Sequence, residues 1–371
     1  MYISGTRRRQ HLSVGKYTGS TLRPLVALLC ASLLSAPAYA ASLGMVADSE
    51  ADIFRLFDAE TDVVLASFEG SEGLISGDCI LSRDESTGFA SHAGNRISVF
   101  ELSDTSAGKQ VNLSSIDISN AGVDMSLSPD GQLLISAGAG NVYEPLSVID
   151  VVSKSEVSTV APFLDHTSAE FCDDGTLLVT TTYGDSFAPP LDNAVYDARL
   201  SAAGELQLGG HRLSSGAQPN NSSCAPGSRA GVLLDREAGL TSFTLPGMHK
   251  ADYVQLHGAI AVSAVFNRSG DRLYVRTTQT VEAFDFNPFT GTLEADWVQP
   301  VAFAAEFFGI DQIALDMGSG KLYVDGGREL LILDLENGQP TGAIGAGDAT
   351  GVCFAARQRH SPVSDIAALN P

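Results

Sequence analysis

Three aspartates in similar sequence contexts have the clearest potential for chemistry in this chain. They follow a glycine directly or by two positions, as Gly77-Asp78, Gly122-Val123-Asp124 and Gly309-Ile310-Asp311. Ca²⁺ prefers oxygen ligands, so carboxylates that converge on one point could hold this ion, the only cofactor that the sequence suggests. Acidic side chains at loop ends also commonly accept hydrogen bonds from backbone N–H groups. No compact calcium-binding motif accompanies the aspartates, so both interpretations stay open.

Common catalytic motifs are incomplete or missing. The segment Gly318-Ser319-Gly320-Lys321 is similar to a phosphate-binding loop, but Leu322 stands where the metal-binding hydroxyl belongs. The histidines include no pair at the spacing of zinc ligands. The Gly-x-Ser-x-Gly segment of serine hydrolases does not occur. The sequence therefore offers candidate residues and no complete motif for an enzyme.

The sequence contains an internal repeat of turns and short strands, and these elements must position the candidate residues. A polar turn precedes a short apolar strand, as in Ser128-Pro129-Asp130-Gly131 before Leu133-Leu134-Ile135. A second element follows, in which an apolar residue and Asp precede a polar turn and an alternating strand, as at Ile149-Asp150. The turn glycines of the six copies are Gly88, Gly131, Gly175, Gly227, Gly270 and Gly320. Each unit of about 45 residues thus predicts four short strands.

The repeat predicts an all-β protein, a seven-bladed β-propeller. Four strands in about 45 residues is the size of one blade. Six units carry the first element, and the seventh is split between residues 42–68, with three strands, and 350–356, with one. Pairing of the C-terminal strand with the first three would close the first blade and remove an exposed sheet edge. We also expect loops at residues 184–193 and 214–223.

Polar residues precede or begin the predicted inner strands, which line the central channel of a propeller. The loops that lead into these strands surround one mouth of the channel, so their polar side chains are candidates for ligand binding. These residues are Asp78, Asp124, His166, Glu170, Asn220, Asn221, His257, Asp311 and Asp348. We single out Asp78, Asp124, Asn220, Asp311 and Asp348 as ligand-binding candidates, with Ca²⁺ as a candidate at the three aspartates described above.

The cysteines indicate disulfide bonds between blades. Four remain beyond the N-terminal segment, an even number that is typical of exported proteins. Cys172 and Cys224 both occupy the repeat position of Ser128 in adjacent blades, and Cys79 and Cys353 share a register across the closure of the ring. The alignment predicts the pairs 172–224 and 79–353. Buried free thiols are the alternative, because adjacent inner strands could hold the Cα atoms farther apart than the roughly 7 Å that a disulfide tolerates.

The Ser-Pro-Asp-Gly turn, the Leu-Tyr-Val strands at 273–275 and 322–324, and the Ile-Asp hairpin resemble YVTN and lactonase-type seven-bladed propellers. The resemblance covers nearly all of residues 42–358 and concerns structural motifs. It implies a candidate lactone hydrolase, in which a His or Glu at the channel mouth activates water with or without a metal. His166, Glu170 and His257 are the candidates for this role. The similar propeller of amine dehydrogenases implies a third function, as one subunit of a periplasmic complex with a small cofactor-bearing partner.

Residues 1–40 predict a signal peptide. A basic segment with Arg7, Arg8 and Arg9 precedes an apolar run of about ten residues from Leu25, too short to span a bilayer. Ala38-Tyr39-Ala40 has the pattern of a cleavage site. Residues 41–358 then form the propeller and residues 359–371 a flexible tail. We therefore expect a periplasmic or secreted protein without a membrane span.

The charge of the mature chain restricts its partners. Removal of residues 1–40 takes away five basic residues and no acidic one, which changes the formal net charge from −22 to −27. Such a surface argues against nucleic acid and anionic membranes, and it permits cations or a basic partner. We favour a binding or scaffold module for a protein, glycan or small molecule over a lactonase, because a fold alone does not confer activity.

Overall fold

The computed structural model describes residues 42–48, 53–69, 75–82, 84–92, 95–105, 108–120, 122–138, 145–160, 166–182, 193–215, 218–302, 312–316, 318–345 and 349–354 of the 371-residue chain. The described residues form 28 strands and no helix, so they include no helix that could cross a membrane. All of them belong to one compact unit, residues 41–371.

The strands form seven antiparallel four-stranded sheets, the blades. From the inside outward, blade 1 contains β28 (Ala349–Phe354), β1 (Leu43–Asp48), β2 (Ile53–Asp58) and β3 (Val63–Glu69). Blade 2 contains β4 (Ile75–Leu81), β5 (Thr87–His92), β6 (Arg96–Thr105) and β7 (Gly108–Asp117). Blade 3 contains β8 (Asp124–Leu127), β9 (Leu133–Ala137), β10 (Leu146–Asp150) and β11 (Ser155–Val160). Blade 4 contains β12 (His166–Phe171), β13 (Thr176–Thr181), β14 (Ala194–Leu200) and β15 (Leu206–Ser214).

The remaining three blades follow in chain order. Blade 5 contains β16 (Pro219–Cys224), β17 (Ala230–Asp235), β18 (Gly239–Thr244) and β19 (His249–Gln255). Blade 6 contains β20 (Ala261–Phe266), β21 (Arg272–Thr277), β22 (Thr280–Phe286) and β23 (Leu293–Pro300). Blade 7 contains β24 (Ile313–Asp316), β25 (Lys321–Asp325), β26 (Glu329–Asp334) and β27 (Pro340–Gly345).

The inner strands form a closed ring. Each contacts the next in the order β4, β8, β12, β16, β20, β24 and β28, and β28 contacts β4. The C-terminal strand β28 pairs antiparallel with β1, with Met45 opposite Cys353 and Val46 opposite Val352. This pairing confirms the predicted closure of the first blade, because β1 is paired on both sides, with β28 and with β2.

Hydrophobic clusters lie between neighbouring blades. The described residues form seven such clusters, one for each of the seven interfaces. Between blades 1 and 2, the rings of Phe54 and Phe100 pack with their centroids 5.1 Å apart. Each apolar side chain that is fully buried here contributes on the order of 1.5–3 kcal/mol relative to an exposed one. A blade cannot cover its own two apolar faces, so the clusters hold the ring together.

The turns between inner and second strands confirm most of the predicted glycine positions. Gly131, Gly175 and Gly270 have φ of 72°, 79° and 71°, a region that side chains with a Cβ rarely adopt. Blade 2 differs from the sequence alignment. There Glu85 takes the left-handed conformation with φ of 58°, and Gly88 lies within β5 instead.

Two further details of the sequence analysis were wrong. Residues 219–223 were predicted to continue a loop, but they belong to the inner strand β16, because neighbouring blades satisfy their polar side chains. The predicted register of Cys224 was also shifted by one residue. The turn bond from Gly175 N to Cys172 O corresponds to the bond from Ser228 N to Ala225 O, so Ala225, and not Cys224, occupies the position of Cys172.

Candidate functional site

The antiparallel connections define two faces of the propeller. The chain leads into every inner strand on one face, which we call the mouth face, and the loops between second and third strands lie there too. The opposite face, which we call the turn face, carries the turns between inner and second strands and between third and outer strands. The candidates Asp311 and Asp348 lie outside the described residues. His166 is the first residue of β12, and only its backbone is described.

Asp78 and Asp124 connect neighbouring inner strands. Both side chains are buried, with 1% and 6% exposure. Asp78 accepts hydrogen bonds from the backbone N–H of Cys79 at 2.9 Å and, with its other oxygen, from Met125 in the next blade at 2.7 Å. Asp124 accepts a bond from Ala169 N, again in the next blade, at 2.7 Å. The two aspartates thus hold three consecutive blades in register.

Other polar residues of the inner strands act in the same way. The Ser126 hydroxyl accepts a hydrogen bond from Phe171 N at 2.9 Å. Asn220, which is 2% exposed, donates through Nδ2 to Ala261 O at 2.8 Å. Thr180 donates to the Ser222 hydroxyl at 2.8 Å. Buried polar groups are costly unless they are paired, and at these positions the adjacent blade supplies the partner.

The calcium site stays a prediction. Within the ranges that the structure describes, no three His, Cys, Asp or Glu side chains are grouped as metal ligands. Asp311, the third member of the predicted set, is outside those ranges. The hydrogen bonds of Asp78 and Asp124 support the alternative interpretation for these two, in which loop-end carboxylates accept backbone N–H groups.

His257 lies on the mouth face of blade 6, in the connection from β19 to β20. Its Nδ1 is 3.1 Å from Oε2 of Glu282, and its backbone N–H donates to Oε1 of the same carboxylate at 2.7 Å. Glu282 is 2% exposed, whereas the imidazole side chain is 68% exposed. The Thr280 hydroxyl donates a third bond to this carboxylate at 2.9 Å. Nε2 of His257 has no hydrogen-bond partner among the described residues and is available to a ligand.

A buried arginine supports the same hairpin. Arg276 is fully buried, and its guanidinium donates to the carbonyl oxygens of Ala302 and Asp325, both at 2.9 Å, and to Thr277 and Thr280. Burial lowers the pKa of Arg276 to about 10, since the charged form has lost its water. The carbonyls replace that water and fix the turn that carries Thr280.

The sequence analysis found His257 but missed Glu282, Thr280 and Arg276. A usable signal exists, since Glu282 lies between the apolar residues Val281 and Ala283, and Arg276 directly follows the apolar segment 273–275 within the strand β21. A charge at a buried strand position requires a specific partner. Glu170, the remaining catalytic candidate, is half-buried within β12, opposite Leu178.

Both predicted cysteine pairs lie at disulfide-bonding distance. The Cα atoms of Cys79 and Cys353 are 5.6 Å apart, and those of Cys172 and Cys224 are 5.4 Å apart. Both distances fall within the range of protein disulfides. The first pair joins the inner strands of blades 1 and 2 next to the closure, and the second joins blades 4 and 5.

Comparison with known proteins identifies the fold. No protein-family model and no curated protein sequence matches the chain. Among solved structures, a functionally unknown protein from Desulfotomaculum acetoxidans DSM 771 is 18% identical with a TM-score of 0.74, over 85% of this chain and 99% of the other. The periplasmic gluconolactonase of Pseudomonas aeruginosa is 17% identical with a TM-score of 0.67, over 85% and 99%.

A third neighbour is a putative 6-phosphogluconolactonase from Bacteroides uniformis ATCC 8492. It is 12% identical with a TM-score of 0.67, over 85% of this chain and 100% of the other. At such identities the likeness concerns the fold alone. The chain is a seven-bladed β-propeller, and its structural neighbours include propellers of the lactonase type.

Proposed function

We propose that the chain is an exported propeller that binds a neutral, hydroxyl-rich ligand such as a sugar lactone on its mouth face, with His257 as a contact residue. The observation that carries the proposal is the arrangement of His257, whose ring is held by the buried Glu282 while Nε2 has no partner in the part of the chain that the structure describes. An imidazole fixed in this way can donate or accept a hydrogen bond with little loss of side-chain entropy on binding.

The surroundings support binding on this face. The hydrogen bonds of Asp78 and Asp124 tie successive blades together, so the loops of the mouth face stand on a rigid ring. The mature net charge of −27 disfavours an anionic ligand such as a phosphorylated sugar and is compatible with a neutral one. The predicted signal peptide, the two cysteine pairs and the likeness to a periplasmic protein support export.

The free Nε2 also favours a second candidate function, the hydrolysis of a lactone. Nδ1–H would donate to Glu282, and Nε2 would take a proton from the water that attacks the lactone carbonyl. The ring oxygen would leave with that proton returned, so that lactone and water give one hydroxy acid. The Glu282 carboxylate would stabilise the imidazolium between these steps.

A matched pair of variants tests both functions. His211 is a second exposed histidine in the same arrangement, with Nδ1 3.1 Å from Asp197 and its backbone N–H bonded to that carboxylate, but on the outer strand of blade 4. Calorimetry with D-glucono-1,5-lactone should show binding that is roughly 5- to 10-fold weaker in His257→Ala, the effect of one lost hydrogen bond. His211→Ala should bind like the wild type.

Turnover separates the two candidates. A pH-stat assay of the same lactone should show no hydrolysis above the spontaneous rate if the chain only binds. Hydrolysis that is lost in His257→Ala and kept in His211→Ala would establish the second candidate in place of the first. If D-glucono-1,5-lactone does not bind, or binds equally to both variants, the role of His257 is rejected.

A further inference from the structure

The turn between the third and outer strands of blade 7 contains Asn337, the only asparagine of the chain that a glycine follows. It lies on the turn face, opposite the face that carries His257. The Asn337 side chain is exposed, and its Nδ2 donates no hydrogen bond within the described part of the chain. Gly338 has no side chain that could shield its backbone nitrogen. A side-chain amide next to an unshielded backbone nitrogen provides both reactants of an intramolecular reaction.

A hydrogen bond orients the amide of Asn337 for this reaction. Its Oδ1 accepts a bond from the backbone N–H of Gln339 at 2.9 Å. The bond turns the side chain back along its own main chain, toward the peptide group that joins Asn337 to Gly338. Gln339 N–H also points at the oxygen on which negative charge develops when a nucleophile attacks Cγ. A donor fixed at that place stabilises the intermediate of the attack.

A second hydrogen bond opposes the reaction to a limited extent. The Gly338 N–H donates to Asp334 O at 2.9 Å. This bond must open before the nitrogen can attack Cγ. One backbone hydrogen bond contributes modestly to stability, so its loss slows the folded chain by about tenfold at most relative to an unfolded one.

The corresponding turn of blade 6 contains the same arrangement without the nucleophile. Asn287 is exposed, and its Oδ1 accepts a hydrogen bond from Phe289 N–H at 2.9 Å, again from the residue two positions ahead. Pro288 follows it, and a proline nitrogen carries no proton and cannot attack. Asn287 is therefore an internal control for Asn337.

A third asparagine has the same bond and lacks access to water. Oδ1 of Asn120 accepts from Gly122 N–H at 3.0 Å, but Asn120 is fully buried. Its Nδ2, the group that would leave, donates to Ser136 O at 2.8 Å and to Pro145 O at 2.9 Å. Of the three asparagines, only that of blade 7 combines an exposed amide, a free leaving group and a nucleophile.

We propose that Asn337 is a site of spontaneous deamidation and isomerisation. Gly338 N forms a bond to Cγ of Asn337, the bond from Cγ to Nδ2 breaks, and Nδ2 leaves as ammonia with the proton of Gly338 N. Water then opens the five-membered imide at one of its two carbonyls and gives aspartate or isoaspartate. No oxidant or further reactant is needed. The product adds one negative charge beside Asp334 and Glu336.

The modification changes the contact between blades 6 and 7. The indole of Trp297 packs over Gly338, where a Cβ would lie 2.6 Å from the ring, and its N–H donates to Leu335 O at 3.2 Å. Isoaspartate inserts a methylene into the main chain directly before Gly338, so this residue must shift beneath the indole. Trp297 is the only tryptophan of the chain, and its fluorescence reports the shift.

Peptide mapping by mass spectrometry tests the proposal. The mature chain is incubated at mildly alkaline pH, folded and in guanidinium chloride, in water enriched in heavy oxygen. We expect a labelled carboxylate at Asn337 in the folded chain, as both aspartate and isoaspartate, and none at Asn120 or Asn287. The folded chain should convert Asn337 no more than about tenfold more slowly than the denatured chain.

The control variant is Asn337→Gln, which keeps an exposed amide but would have to form a six-membered imide. Its Trp297 fluorescence should stay constant over the time in which that of the wild type changes, and thermal unfolding verifies that it folds. Conversion of Asn337 slower than the stated limit, or conversion of Asn120 or Asn287 at the same rate in the folded chain, would overturn the proposal. A fluorescence change of equal size in the variant would refute the effect on packing.

Discussion

The carboxylate of Asp78 acts on two blades at once. One oxygen accepts from its own strand and the other from Met125, 47 positions away in the sequence. Both donors are backbone N–H groups, which cannot be left unpaired in a buried place without a cost of about 1–3 kcal/mol. At this scale, single buried acceptors determine the spacing of neighbouring inner strands, and the loops of the mouth face depend on that spacing.

Asp78→Asn tests this role directly. The amide has one acceptor oxygen and one donor NH₂ in place of two acceptors, so one backbone N–H faces a donor. We expect the free energy of unfolding in urea to fall by about 1–3 kcal/mol. The loss should be the same with and without EDTA if the hydrogen bonds cause it. A wild-type chain that EDTA destabilises to the level of the variant would instead favour the calcium interpretation.

The turns of the turn face are the elements in which acidic residues contribute most clearly to stability. Asp84 accepts hydrogen bonds from the side chains of Ser82 and Ser86, and these bonds lower its pKa. Bonds from Ser269 and Asn267 lower the pKa of Asp271 in the corresponding turn of blade 6. Serine and aspartate in such turns pair locally, which explains the recurrence of Ser-Pro-Asp-Gly-like segments in the repeat.

These two turns predict a pH dependence. A carboxyl with a lower pKa in the folded than in the unfolded state stabilises the fold above the unfolded pKa, about 3.9 for Asp. The contribution is complete above roughly pH 5 and is lost as the pH falls through the folded pKa. The double variant Asp84→Asn, Asp271→Asn keeps the acceptor oxygens but cannot titrate.

We therefore expect the urea midpoint of the wild type to decrease more steeply below about pH 4 than that of the double variant. Glu205→Gln, which removes a carboxylate from an exposed turn on the same face of blade 4, serves as the control variant. Identical slopes of the wild type and the double variant between pH 5 and 2.5 would show that the turns do not contribute in this way.

At the scale of the whole molecule, the ring is closed by strand pairing and fastened by the cysteines. The pair Cys79–Cys353 encloses 274 residues, whereas Cys172–Cys224 encloses 52. A cross-link removes more conformational freedom from the unfolded chain when the enclosed loop is longer. The two pairs should thus differ in their effect on stability, although both join adjacent inner strands.

The loop-entropy relation gives about 1.5 kcal/mol for this difference. We expect Cys79→Ser with Cys353→Ser to lower the free energy of unfolding by about that much more than Cys172→Ser with Cys224→Ser. Urea unfolding of the two double variants measures it. The reduced wild type should unfold like the quadruple variant. An equal loss in both double variants would mean that local packing, and not loop length, decides the contribution.

The internal repeat allowed the sequence to determine the architecture. Seven blades, closure by the C-terminal strand and the two cysteine pairs all follow from a pattern of about 45 residues, because hydrophobic periodicity and turn residues are local properties. The same locality explains the errors at Gly88 and at residues 219–223. A strand of polar residues resembles a loop in the sequence, because the sequence does not show that the next blade supplies the hydrogen-bond partners of these residues.

The candidate sites were decided by the tertiary structure. Glu282 lies beneath His257, and Trp297 covers Gly338, only because the chain returns to the same place after 25 and 41 residues respectively. Arg272 pairs within its own blade, with Asp285 and Asp296, whereas Lys321, at the equivalent repeat position in blade 7, bonds across to Ala59 O and Asp62 of blade 1. Both arrangements place a basic residue at the same position of the repeat, so the sequence pattern does not distinguish them. The side chains that pack around each basic residue in the folded chain decide which arrangement forms.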